Sequence, residues 1–181
     1  MVEAEEGERQ KRLEEYNNAI KGTIAEQINN IDIPSYFDEN ELHQLQDGEI
    51  VVRGEKSDNF PNGEFQWGAY LAKNVNSFII DDFNNDGLDD VAQIIAYTGG
   101  GSGYFYYFTI FINNEGNLKY LTQGMLGDRI FIKDIKYNSG VFTVDMITQG
   151  KGDDFMGFCC ANVPKSIRFK LEGNNFVEAD E

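Results

Sequence analysis

The chain has 181 residues and a mass of 20.5 kDa, the size of one domain with a short appendage. It is 41% hydrophobic and 13% aromatic, which is enough to bury a core and excludes a disordered polymer. The 31 Asp and Glu residues outnumber the 15 Lys and Arg residues. The resulting formal net charge of −16 disfavours binding to nucleic acid or to an anionic membrane surface.

The sequence contains neither a membrane-spanning segment nor a secretory signal. It has no run of 18 or more apolar residues, so we expect no membrane insertion of this chain. The start, residues 1–6, lacks the basic and apolar regions of a signal peptide. The chain is therefore either cytoplasmic or an exported chain whose signal has been removed, and composition leaves both open.

The first predicted element is an amphipathic helix from Glu8 to Asn29. Its apolar residues recur at spacings of three and four and are Leu13, Tyr16, Ile20, Ile24 and Ile28. Pro34 closes the segment, because proline cannot continue a helix. We therefore divide the chain into an N-terminal helix and linker, residues 1–34, and a single β-rich domain, residues 35–181. The helix either packs on the domain or binds a partner.

After the helix the apolar period changes to two, which is typical of β-strands separated by turns. The predicted strands are Glu49–Gly54, Ala69–Ile80, Asp90–Thr98, Tyr104–Ile112, Leu118–Thr122, Ile130–Tyr137, Val141–Thr148, Ser166–Leu171 and Phe176–Glu178. Asn- and Gly-rich turns at 113–116, 137–140 and 172–175 join several of them as hairpins. The predicted fold is mainly β (α+β), an antiparallel meander that forms a sandwich or a partly open barrel.

Two predicted strands differ in how many of their faces are apolar. In Ser166–Leu171 apolar residues alternate with polar ones, which indicates one solvated face. In Tyr104–Ile112 both faces are apolar, so this strand should be central and covered on each side. The covering layer is either a second sheet or the N-terminal helix.

The strongest chemical signal is the acidic loop Asp82–Asp90, which fits the calcium-loop pattern D-x-[DN]-x-[DN]-G-x-x-D. Calcium prefers six to eight oxygen ligands, and a loop with ligands at every second residue can wrap around the ion. The predicted ligands are the side chains of Asp82, Asn84, Asp86 and Asp90 and the backbone carbonyl of Leu88. Gly87 permits the sharp turn. The alternative is a surface hairpin in which Asn-Asp-Gly only makes the turn.

The loop is not an EF-hand, because position 12 is Gln93 and the residues after Asp90 read as a strand. Ile80–Val91 instead resembles the calcium loop of FG-GAP repeats, set at residues 81–90. The stretch from Gly48 to Leu171 is similar to small bacterial exported proteins and lipoproteins of unassigned activity. In those proteins such a loop is followed by three further segments and a Cys-Cys pair. The matching residues of this chain are Gly100–Tyr106, Leu126–Arg129, Gly152–Asp154 and Cys159-Cys160. The resemblance implies an extracytoplasmic setting, periplasmic, lipid-anchored or secreted. It brings no established activity with it.

Other candidate sites are weaker. The glycine-rich segment Thr98–Gly103 lacks the ending of a phosphate loop and leads into a strand, so we interpret it as a hairpin loop. It would otherwise be the rim of a binding site, with Tyr104, Tyr106 and Tyr107 offering ring faces to a sugar or peptide. Asp128-Arg129 and Asp153-Asp154 fit loop caps and ion pairs as well as a carboxylate-pair hydrolase.

The cysteines and the single histidine predict no catalytic or zinc site. Cys159 and Cys160 are adjacent, which excludes a disulfide framework and Cys-x-x-Cys chemistry. They either close a strained vicinal disulfide, pair with another chain or stay as free thiols. His43 lies in a polar segment and is expected at the solvated surface. We assign no catalytic residue.

The sequence thus predicts a non-enzymatic calcium-binding domain with a protein or glycan partner of unknown identity. The alternatives are a cell-envelope hydrolase that uses Ca²⁺ as a structural cofactor, and a partner-binding or inhibitor module.

Overall fold

The fold of the chain is described by a computed structural model over residues 23–72, 78–150 and 162–179. The described residues form one helix and twelve strands: α1 (Thr23–Asn29), β1 (Asp32–Pro34), β2 (Leu42–Gln44), β3 (Glu49–Arg53), β4 (Phe65–Leu71), β5 (Phe78–Asp81), β6 (Asp90–Thr98), β7 (Phe105–Asn114), β8 (Asn117–Asp128), β9 (Phe131–Asn138), β10 (Val141–Thr148), β11 (Val163–Glu172) and β12 (Asn175–Glu178). All strand pairings in the described part are antiparallel. The predicted mainly β, antiparallel fold is confirmed.

The twelve described strands form three open sheets, and none of these sheets closes into a barrel. The largest has the order β3-β4-β6-β7-β8, and β5 also pairs with β6. A four-stranded sheet has the meander order β12-β11-β10-β9, and β1 and β2 form a small hairpin. Two-residue turns with positive φ close two of the predicted hairpins: Glu115-Gly116 joins β7 to β8, and Ser139-Gly140 joins β9 to β10.

The six-stranded sheet is covered on both faces. All nine residues of β6 are buried, and successive side chains alternate between two separate cores. On β7, Phe108 and Ile110 enter the core shared with the four-stranded sheet, whereas Phe111 enters the core on the other side. The prediction that this strand is central and covered on each side is confirmed.

The first core lies between the two large sheets and explains why they pack face to face. It contains apolar residues of β6 and β7 together with Ile135 and Val144 of the four-stranded sheet. Phe108, Phe142 and Phe169 link the two sheets through ring contacts with centroids 4.9–5.6 Å apart. Aromatic pairs at this distance contribute beyond the apolar area that they bury.

The second core lies under α1 and the β1–β2 hairpin. Ile28, Ile33 and Leu45 pack there against Trp67 and Tyr97 of the six-stranded sheet. The Tyr97 hydroxyl donates a hydrogen bond to the Pro34 carbonyl over 3.2 Å. The end of α1 is therefore attached to the β-rich domain.

Two expectations change in the described structure. Only Thr23–Asn29 of the predicted helix falls within the described residues, so a helix beginning at Glu8 stays a prediction. The strand predicted over Ala69–Ile80 is wrong as one element, because β4 ends at Leu71 and β5 begins at Phe78. Both strands pair with the same partner strand, β6. β4 pairs with residues 95–98 of β6, and β5 pairs with residues 90–93.

Candidate metal site

The acidic loop Asp82–Asp90 connects two antiparallel strands. β5 ends at Asp81 and β6 begins at Asp90, and these two residues pair at the base of the loop. Asn85 and Gly87 have φ of 61° and 88°, so the backbone turns through the left-handed region twice. The predicted hairpin position of the loop, between strands and not between helices, is what the structure has.

The first three predicted ligand side chains turn inward over the loop backbone. The two carboxylate oxygens of Asp82 accept hydrogen bonds from the backbone N–H groups of Asp86, at 3.1 Å, and Gly87, at 2.9 Å. Asn84 Oδ1 also accepts from the Asp86 N–H, and Asp86 Oδ1 accepts from the Leu88 N–H, both at 2.9 Å. These side chains therefore gather their oxygens on the inside of the turn.

The fourth predicted side-chain ligand, Asp90, is fully buried. Its Oδ2 accepts from the Phe83 N–H over 3.0 Å and its Oδ1 from the Asn113 N–H over 2.8 Å. Burial raises the pKa of this carboxyl, the two backbone hydrogen bonds oppose that rise, and the negative charges of Asp86 and Asp82 add to it. The charges of Asp82 and Asp86 thus disfavour the ionised form of the Asp90 carboxyl.

Leu88, the predicted backbone ligand, has a partly exposed side chain, and only its N–H has a described partner within the loop. Across residues 23–72, 78–150 and 162–179, no three His, Cys, Asp or Glu side chains are gathered as a ready ligand set for a metal ion. The predicted set contains only three carboxylates, and their oxygens accept backbone N–H groups in this arrangement. A carboxylate oxygen has a second lone pair, so each can still bind a cation.

Three residues that the sequence did not assign to the site, Phe83, Tyr137 and Asn113, hold the loop in place. Phe83 is buried, and its ring contacts those of Tyr137 and Phe142 with centroids 4.9 Å away. Burial raises the pKa of Tyr137, and the charges of Asp81, Asp82 and Asp90 raise it further. Phe83 therefore anchors the loop to the four-stranded sheet.

Asn113, at the end of β7, is the third of these residues. Besides its N–H bond to Asp90, its Nδ2 donates to the Asp89 carbonyl over 3.1 Å, and its Oδ1 accepts from the Gly116 N–H over 2.8 Å. The sequence shows Asn113 only as part of an Asn- and Gly-rich turn. Its contact with the loop depends on the pairing of β6 with β7, which no local pattern reveals.

The glycine-rich segment joins β6 to β7 and carries aromatic rings against its backbone. A Cβ atom at Gly99 would lie 2.8 Å from the Tyr36 ring, and one at Gly103 would lie 2.7 Å from the Phe105 ring. The three tyrosines do not form one platform. Tyr106 packs against the core between the large sheets, Tyr107 against the core under α1, and Tyr104 is exposed.

The remaining sequence candidates have structural roles or lie outside the described residues. His43 is half-buried on β2, with its ring 5.1 Å from that of Trp67, so the expectation of a solvated side chain is wrong. Asp128 pairs with Arg129 and accepts a hydrogen bond from the Tyr104 N–H, as expected for a cap and ion pair. Cys159, Cys160 and Asp153-Asp154 lie outside the described residues.

No protein-family model, curated protein or solved structure matches this chain. In the part of the chain that the structure describes, no helix is long and apolar enough to cross a membrane.

Proposed function

We propose that the chain is a calcium-binding, non-enzymatic domain of an exported bacterial protein. One Ca²⁺ ion would be held by Asp82, Asn84, Asp86 and Asp90 and by the backbone carbonyl of Leu88. The observation that carries the proposal is the turn of the Asp82, Asn84 and Asp86 side chains over the backbone of one nine-residue hairpin loop. The charges of Asp82 and Asp86 also act on the buried Asp90 carboxyl. A bound divalent cation would remove this repulsion.

The attachment of the loop supports a structural role for the ion. Phe83 anchors one end in the core between the sheets, and Asp90 ties the other end to Asn113. An ion bound between these anchors would stabilise the connection from β5 to β6. Because it binds the folded state and not the unfolded chain, it would raise the free energy of unfolding by mass action.

The hydrolase alternative requires an accessible carboxyl of raised pKa in a cleft beside the loop. Asp90 has the raised pKa, but it is fully buried and both of its oxygens accept backbone hydrogen bonds. It therefore does not meet the requirement, and we retain a binding or structural function. An extracytoplasmic home, where calcium is abundant, fits this proposal and the resemblance to exported proteins.

The test is a thermal melt of the chelated protein with 10 mM CaCl₂ or 10 mM MgCl₂. For a dissociation constant of about 10⁻⁴ M, as in extracellular calcium modules, this is about 100 times the constant and adds about 2.7 kcal/mol. The melting temperature should rise by about 5–10 °C with calcium, and much less with magnesium. An equal response to both ions would show general screening of an acidic protein and refute a calcium site.

Two matched substitutions locate the response. Asp86→Asn removes a charge and keeps an oxygen that accepts from the Leu88 N–H, but it loses the oxygen that accepts from Asn84 Nδ2. The calcium shift of the variant is therefore measured against its own calcium-free melt. It should abolish most of the calcium shift. Asp89→Asn removes the same charge from an exposed side chain that is not a predicted ligand, and should keep the shift. A full calcium response in Asp86→Asn would contradict the assignment.

A further inference from the structure

Phe83 lies among the predicted metal ligands without being one of them. Along the chain it stands between two predicted ligands, Asp82 and Asn84. Its backbone N–H also donates to Oδ2 of a third, Asp90, over 3.0 Å. A displacement of Phe83 would therefore move three ligand residues at once.

The opposite sheet sets the position of the Phe83 ring. This ring meets the rings of Tyr137 on β9 and Phe142 on β10 edge to face, with centroids 4.9 Å away in both cases. The Tyr137 and Phe142 rings are 4.6 Å apart, so the three rings contact one another pairwise. The strands that flank the loop, β5 and β6, belong to the six-stranded sheet, whereas β9 and β10 belong to the four-stranded sheet. The loop is therefore held from both sheets.

Tyr137 contributes to this contact from the rim of the core. Phe142 is fully buried, but Tyr137 is half-buried and lies on β9, an edge strand of its sheet. In the described part of the chain no hydrogen bond joins the Tyr137 hydroxyl to the loop. The ring of Tyr137, and not its hydroxyl, therefore makes the contact with Phe83.

We propose that Tyr137 is a positioning residue of the calcium loop and that calcium affinity depends on the packing of β9 against that loop. This inference rests on the proposed calcium site. A loop whose ligands are already held in place loses less conformational freedom when the ion binds, which strengthens binding. The coupling is reciprocal, so bound calcium would also stabilise the packing of Tyr137 against Phe83.

The first test is a calorimetric calcium titration of the full chain and its variants. Tyr137→Ala should weaken calcium binding about fivefold, because the ion must then order the loop itself. Tyr137→Phe keeps the ring and should change the affinity less than about twofold. Circular dichroism would verify folding at the temperature of the titration. If Tyr137→Ala does not fold, Tyr137→Leu takes its place with the same expectation.

Phe176→Ala is the matched control. Phe176 is also half-buried and aromatic, but it lies on β12 at the opposite edge of the same sheet and contacts Phe108 and Phe169. Its loss should leave calcium affinity within about twofold of the wild type, as for an independent site. Equal weakening by Phe176→Ala and Tyr137→Ala would show a general effect of destabilisation and refute the positioning role.

A second measurement examines the loop without calcium. In EGTA, nuclear magnetic resonance would follow the exchange of the Asp86, Gly87 and Leu88 N–H groups, which donate to side chains of the loop. Exchange should be about threefold faster in Tyr137→Ala than in the wild type and unchanged in Phe176→Ala. A wild type that does not bind calcium would overturn both this inference and the proposed function. If the wild type binds calcium but Tyr137→Ala binds it as tightly, or shows unchanged exchange, only this inference fails.

Discussion

Asp90 provides a direct test of how the acidic loop is attached to the fold. Asp90→Asn keeps the size of the side chain but leaves only one acceptor oxygen for two backbone donors, the Phe83 and Asn113 N–H groups. The new amide N–H₂ would face the other donor. Leaving one buried donor without a partner costs about 1–3 kcal/mol. Removing a buried charge offsets part of this cost, because burial disfavours the ionised carboxylate.

We therefore expect Asp90→Asn to lower the free energy of unfolding by about 2 kcal/mol in the absence of calcium. For a domain of this size that corresponds to a fall in melting temperature of about 4–8 °C. The measurement is a chemical-denaturation and thermal-melt pair in EGTA. Asp89→Asn is the control, since it removes a neighbouring exposed charge and should change stability by no more than about 0.5 kcal/mol.

Two results would refute this reasoning. If Asp90→Asn leaves the stability unchanged, the two hydrogen bonds to Asp90 do not hold the loop. If Asp89→Asn destabilises the protein as much as Asp90→Asn, the effect comes from the charge of the segment and not from the buried acceptor.

Three further predictions concern the neighbourhood of the site and of the glycine-rich segment. Asn113→Ala removes the side-chain bonds to the Asp89 carbonyl and the Gly116 N–H, and should cost about 1–2 kcal/mol in urea denaturation; no loss would exclude this residue as the link between loop and turn. Gly103→Ala should cost about 1–3 kcal/mol because its Cβ would meet the Phe105 ring, whereas Gly101→Ala, with open space around it, should be near neutral; similar melting temperatures for both would contradict the packing. Burial and the hydrogen bond with Tyr104 raise the pKa of Tyr70 to about 12 from 10.0, so its contribution to stability is present below pH 10 and is lost as the pH rises through 12. In a titration followed at 295 nm, Tyr70→Phe should remove absorbance change near pH 12, and loss of the change near pH 10 would refute the assignment.

Much of the β-structure could be predicted because its signals are local. Alternation of apolar and polar side chains located β11, and apolar residues on both faces identified β7 as a covered central strand. The two-residue turns were predictable from Gly116 and Gly140, since glycine tolerates positive φ. Their partners in the turns, Glu115 and Ser139, also have positive φ, which the residue types did not indicate. These features depend on neighbours within a few positions along the chain.

The two errors have different causes. His43 lies in a polar segment, yet the β1–β2 hairpin places it against Trp67, and this depends on which segment becomes the neighbour. The segment Ala69–Ile80 has a strand pattern at both ends, but residues 73–77 between them are mostly polar. That local signal was overlooked, and β4 and β5 are separate strands on the same neighbour.

The candidate site divides in the same way. The sequence alone determined the acidic loop, because the residue types and the two-residue spacing of Asp82, Asn84 and Asp86 are properties of one short segment. Only the tertiary structure decided that Asp90 is buried and bound to Asn113 on the neighbouring strand, because strand pairing brings together residues 23 positions apart. The types and spacing of side chains in a short segment can be read from the sequence. Which side chains are buried, and which distant residues they contact, is decided only when distant segments pack together.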